Sequence, residues 1–234
     1  MAGPESSTRA VVIAIVGNFS VMCAKFIAFF ATGSGALFSE GVHTFADLLN
    51  QILLLIGIKR STHNADDKFA YGYAAERYVW ALISAVGIFF LGCGVTMYHG
   101  ISSLLHEHEP LSHLGWAVGV LIISFIIEFY VLIVAVRSVK QAADGKPLFK
   151  YMKDEADPAI VAVVLEDSAA CLGVLIALAA IALTHLTGHQ YWDAVGSITI
   201  GILLGLIAFW LIQRNRSILI GESCLLYTSP SPRD

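Results

Sequence analysis

The sequence predicts an all-α polytopic membrane protein, with six transmembrane helices and both termini on the cytoplasmic side. Its composition is the first reason: 57% of residues are hydrophobic and 14% charged, against roughly 25% charged in a soluble domain. The second is length. A spanning helix needs about 20 mostly apolar residues, and six stretches supply them, at 10–31, 36–58, 78–103, 114–137, 159–183 and 192–212. They are too long and too evenly apolar for the alternating strands of a barrel. The third is the placement of basic residues, which fall on alternate connections.

Each stretch has its own marks. The first is too long for a signal-peptide core and lacks a clear cleavage site, so it reads as a helix; it carries Lys25 toward its outer end. The second holds Glu40, His43, Asp47 and Asn50, and is followed by Lys59, Arg60, Lys68 and Arg77. The third and fourth are separated by His106-Glu107-His108-Glu109-Pro110, which reads as a solvated polar loop before it reads as a weak metal site. Glu128 lies in the fourth. After it come Arg137, Lys140, Lys146, Lys150 and Lys153. Asp154, Glu155 and Asp157 precede the fifth stretch, where they either attract cations or balance those lysines. The fifth holds Glu166 and Asp167, and Arg214 and Arg216 follow the sixth.

The connections 32–35, 104–113 and 184–191 have no Lys or Arg. By the positive-inside rule both ends and the basic connections face the cytoplasm. Spread among helix ends, with a net charge of −4, these residues do not form a nucleic-acid surface. Cys23, Cys93 and Cys171 sit inside spans and read as small buried hydrophobes. There is no CxxC spacing and no disulfide framework. HExxH is missing and no serine or cysteine dyad is evident, so the chain does not read as an enzyme.

A charged side chain near the bilayer centre costs at least about 2.5–3.5 kcal/mol, so acids in apolar spans mark a functional pathway. On a helical wheel with Glu40 at zero, His43 falls near about 300°, Asp47 about 340°, Asn50 about 280° and Gln51 about 20°. They form one polar stripe, and the i, i+4 pair His43/Asp47 can grip one ion from a single helix. The fifth helix runs the opposite way. With about 1.5 Å rise per residue, Asp47 and Asp167 fall within roughly 6 Å in depth and meet if the helices are neighbours. The competing reading is a hydrogen-bonded packing cluster. It weighs more for Glu166, which points about 100° away from Asp167. For Glu40, a pair with Lys25 is preferred to a zinc role.

The run Ser34-Gly35-Ala36-Leu37-Phe38-Ser39-Glu40-Gly41-Val42-His43-Thr44-Phe45-Ala46-Asp47 resembles the second helix of cation diffusion facilitators, the zinc-transporter superfamily. Tyr71-Gly72-Tyr73 with Glu76-Arg77, and Asp193-Ala194-Val195-Gly196-Ser197, agree with it. The likeness covers about residues 10–222 and looks closest to the branch of the mitochondrial-type zinc transporters, which has a Glu-Asp pair on helix five. It implies zinc bound at mid-membrane by two ligands each from helices two and five. Carried over, these are His43, Asp47 and Asp167. The remaining position is Val163, which cannot coordinate, so Glu166, Glu128 or water completes the set, with Glu166 the candidate retained.

Imidazole with carboxylates suits Zn²⁺, whereas Mn²⁺, Mg²⁺ and Ca²⁺ favour oxygen alone. The choice of zinc over Fe²⁺ and Co²⁺ leans on the resemblance. Zinc is bound transiently as cargo, and no resident cofactor is expected. Free histidine titrates near about 6.5 and binds metal only when neutral, so protons compete with the ion. The expected function is Zn²⁺/H⁺ antiport by alternating access. The alternatives are a transporter of Fe²⁺, Co²⁺ or Mn²⁺, or a non-transporting scaffold or regulatory protein with a degenerate metal site.

The partners are therefore Zn²⁺, H⁺ and the bilayer, in a bacterial inner membrane or an organellar one such as the mitochondrial. Residues 1–222 form the transport domain. The resemblance also implies a cytosolic ferredoxin-like domain after helix six that supports a homodimer, in place of which stands only the Ser/Pro-rich tail 223–234. That tail is read as a truncation or a sequencing scar.

Overall fold

A computed structural model describes residues 4–67, 69–70, 72–105, 113–143, 145–148, 151–152 and 158–220. Among them there are helices and no strand. The helices are α1 Pro4–Thr32, α2 Gly35–Ser61, α3 Glu76–Gly87, α4 Thr96–Leu105, α5 Leu114–Ala142, α6 Pro158–Thr187 and α7 Tyr191–Ile220. A π-helical stretch, Ile88–Val95, joins α3 to α4, so the two act as one span. Among the described residues six helical units are thus long and apolar enough to cross a membrane, as expected from sequence. The π stretch was not foreseen, because an apolar run looks the same whichever way its backbone bonds are shifted.

Local chemistry ends these helices where the sequence changes character. Gly33, at φ 74°, donates its N–H to Phe29 O at 2.7 Å and stops α1. Gly188, at φ 70°, does the same to Thr184 O at 2.9 Å after α6. Both are left-handed positions that cost glycine nothing. Ser34 then caps α2, its Oγ accepting from Leu37 N at 3.3 Å.

The helices divide into two groups that share α2. On one side α1 packs against α2 and α5, α5 against α6, and α6 against α2. On the other, α7 lies against α2, α6 and the whole third span. Small residues make the second contact close. A Cβ placed on Gly100 would fall 2.7 Å from Ile198 Cγ1, and one on Gly201 would fall 2.9 Å from Met97 Cγ. Such close approach is how membrane helices gain packing without a hydrophobic drive. Large side chains point outward instead, with Phe30 80% and Leu186 79% exposed, as lipid-facing groups should be.

Asp193 fixes the depth of α2 against α7. Its carboxylate accepts from Ser34 Oγ at 2.6 Å, from Ala36 N at 3.4 Å and from Gly35 N, all at the first turn of α2. A carboxylate there satisfies backbone donors that have no partner within the helix and faces the positive end of its dipole. Because Asp193 is buried, Asp193→Ala should cost about 1.5–3 kcal/mol, the range for a hydrogen bond to a charged group. The check is thermal unfolding in detergent, where an unchanged midpoint would refute this role.

Candidate functional site

The polar residues of α2 meet those of α1, α5 and α6 inside the first group of helices. Lys25 Nζ, from α1, donates to Glu40 Oε2 at 2.8 Å, to Glu128 Oε1 at 2.7 Å and to Thr44 Oγ1 at 3.0 Å. Lys25 and Glu40 are fully buried, so the pairing expected from their depths exists and does not snorkel to the surface. Glu128, weighed from sequence as a metal ligand, spends one oxygen on Lys25.

Beside this ion cluster lies a cavity of about 40 Å³, room for one or two water-sized occupants. Its polar lining is Asn18 from α1, Thr44, Asp47 and Gln51 from α2, Glu128 from α5, and Glu166 and Asp167 from α6. The structure therefore brings Asp47, Glu166 and Asp167 to one space. Val163 lies on the same wall, one turn before Asp167. His43 does not line that wall; its Nδ1 lies 3.5 Å from Asp47 Oδ1.

Glu166 is held from outside the cavity. Its Oε2 accepts from Asn50 Nδ2 on α2, and Asn50 Oδ1 accepts from Ser84 Oγ on α3. The bonds consume one carboxylate oxygen and leave the other toward the interior. Glu166 Oε1, Asp167 Oδ2, Asp47 Oδ1 and both ring nitrogens of His43 are buried with no protein hydrogen-bond partner. Buried donors and acceptors without partners are costly, and here most are carboxylate oxygens, the ligands of a hard or borderline cation. Among the described residues, no three His, Cys, Asp or Glu side chains stand close enough to hold an ion as they are. An entering ion has to draw them inward.

Two residues of this region, Asn18 and Ser84, were not singled out from the sequence. Asn18 and Gln51 line the cavity, and Ser84 anchors Asn50. Gln51 was visible on the polar stripe, and Asn18 as an amide within an apolar helix. Ser84 carried no signal. The connections with His106–Pro110 and with Asp154, Glu155 and Asp157, and the tail from 221, lie outside the described residues. Cys171 is buried, but Cys23 and Cys93 are partly exposed, so only one of the three fits the expected burial.

Comparison with known proteins agrees with this architecture. The cation efflux transmembrane domain matches residues 11–220. Over 217 residues the chain is 40% identical to the mouse (Mus musculus) protein named proton-coupled zinc antiporter SLC30A9, mitochondrial, covering 92% of this chain and 38% of that one. It is 42% identical over 221 residues to metal tolerance protein C4 of Arabidopsis thaliana, covering 94% and 48%. A third relative, at 21% over 215 residues, is the uncharacterized transporter MJ0449 of Methanocaldococcus jannaschii, covering 92% and 70%. The chain spans less than half the length of the mouse and Arabidopsis relatives. With all six spans falling largely within the matched region, the chain belongs to the cation efflux family, as a multi-pass membrane protein built around a cation efflux transmembrane domain.

Proposed function

We propose that this domain carries a divalent metal ion, zinc before others, in exchange for protons by alternating access. His43, Asp47 and Asp167 are the core ligands and Glu166 the fourth. The observation that supports this reading most is the cavity between α2 and α6, with carboxylates from both helices and unpartnered oxygens on its walls. Ligands divided between two helices suit a carrier, since a change in helix tilt makes and breaks the site. One imidazole among carboxylates favours zinc over harder ions. The names of the mouse and Arabidopsis relatives, a zinc antiporter and a metal tolerance protein, point the same way.

Protons and metal use the same atoms. Zinc needs a neutral imidazole and ionised carboxylates, so its loading releases protons and protons on the far side help to expel it. On the positive-inside reading both ends lie in the cytoplasm, with zinc loaded there and moved outward. The membrane is an organellar one, on the name of the mouse relative. The whole protein works as a homodimer, and the domain moves an ion without catalysing a covalent change.

Flux of radiolabelled zinc into proteoliposomes tests this. Uptake should saturate and should accelerate when the compartment receiving zinc is made acidic. Acid on the loading side should weaken apparent zinc affinity, because protons compete with the metal for the same donors. Flux that ignores an imposed proton gradient would refute the coupling, and no flux at all would favour a non-transporting role.

A further inference from the structure

The ammonium of Lys25 sits in a cation position of its own. Three oxygens surround it at 2.7–3.0 Å, from Glu40 and Thr44 on α2 and Glu128 on α5. These use all three ammonium protons. Neither Lys25 nor Glu40 has any exposed surface. The second oxygens, Glu40 Oε1 and Glu128 Oε2, are buried without a hydrogen-bond partner. Against the Glu40 carboxylate α6 presents no side chain: a Cβ on Gly173 would collide with it. Three helices thus close on this one charge, and a fourth backs its Glu40 partner. Thr44 and Glu128 are also walls of the transport cavity, so the position adjoins the site for the carried ion.

We infer that this is a second, all-oxygen cation site next to the transport site, and that Lys25 fills it permanently as a tethered substitute for a metal ion. Two carboxylates and a hydroxyl suit a hard divalent ion such as Mn²⁺ or Mg²⁺. Two carboxylates also balance the charge of such an ion. A free ion in this position would travel with the zinc or hold the helices together. A lysine does neither: it cannot leave, and it compensates much of the carboxylate charge while the carrier is empty. Lys25 is accordingly a specificity-determining residue, limiting the domain to one carried ion. The inference rests on the transport reading for its meaning, but its test counts bound ions and needs no flux.

The experiment uses the purified full chain in nanodiscs, loaded with one equivalent of Zn²⁺ and titrated with Mn²⁺, with free Mn²⁺ read by electron paramagnetic resonance. Wild type should leave the added Mn²⁺ in solution. Lys25→Met should remove one Mn²⁺ per chain, and Lys25→Met with Glu128→Gln should remove none. Lys25→Met that keeps its zinc and takes no Mn²⁺ would overturn the inference, as would equal uptake by the double variant. If Lys25→Met unfolds without added ion, it is prepared in Mn²⁺. Recovery of folded protein in step with bound Mn²⁺ supports the site, and failure to recover overturns it. Loss of zinc flux in wild type would sink the transport reading and leave this count unaffected.

Discussion

Asp47→Ala and Asp167→Ala should each abolish saturable zinc flux while leaving the protein inserted and folded. Both carboxylates line the same small cavity, one from α2 and one from α6, and each has a buried oxygen with no partner. A zinc ion gives up its water only when enough protein donors replace it, usually four in all with at least three from protein. Asp47 is the only proposed ligand that α2 places on the cavity wall, and Asp167 is one of two from α6, so either loss leaves too few donors. Insertion should not suffer. Deleting an acid from a span removes a cost of about 2.5–3.5 kcal/mol, and among the described residues neither aspartate holds a hydrogen bond that packs the bundle. This opposes two outcomes that are often confused, lost transport and lost fold. Flux and thermal unfolding measured on the same preparations separate them, and near-normal flux in both variants would remove these residues from the site.

The polar stripe on α2 was legible because periodicity places residues on a face whatever surrounds the helix. Glu40 and Lys25 were legible as a pair because both lie toward the same end of antiparallel neighbours, and a buried ammonium needs a carboxylate. What the sequence could not show was which further helix joins them. Glu128 stood out as an acid in an apolar run, yet its tie to Lys25 depends on α5 lying against α1, a tertiary fact with no periodic signature. Asn50 was visible on the stripe, but its place between Glu166 and Ser84 needs α2, α3 and α6 together. Asp193 was read as part of a family motif opening the last helix. Its target is the first turn of a different helix, far away in sequence. The cysteines fell between the two cases, since a thiol facing lipid is as comfortable as one in a packed core.

Val163→His should tighten zinc binding and slow its release. Val163 lines the cavity one turn before Asp167, so an imidazole at this position shares the face of that carboxylate. The side chain is 37% exposed, which leaves room for the larger ring without displacing packed neighbours. If Glu166 completes the native site, it does so from a constrained pose, because Asn50 already holds one of its oxygens. An unconstrained nitrogen at 163 would relieve Glu166 of that task. Four proteins then test the arrangement by titration calorimetry: wild type, Glu166→Gln, Val163→His and the double variant. Glu166→Gln alone should lower zinc affinity by about ten- to a hundredfold, the loss of about 1.4–2.8 kcal/mol. Adding Val163→His should restore it. Transport should move the other way, with turnover falling as affinity rises, because an ion held by four protein ligands leaves slowly. A Glu166→Gln protein that binds zinc as wild type does would make water the fourth ligand. A Val163→His protein that gains nothing would mean that α6 does not turn this face toward Asp47 when zinc is bound.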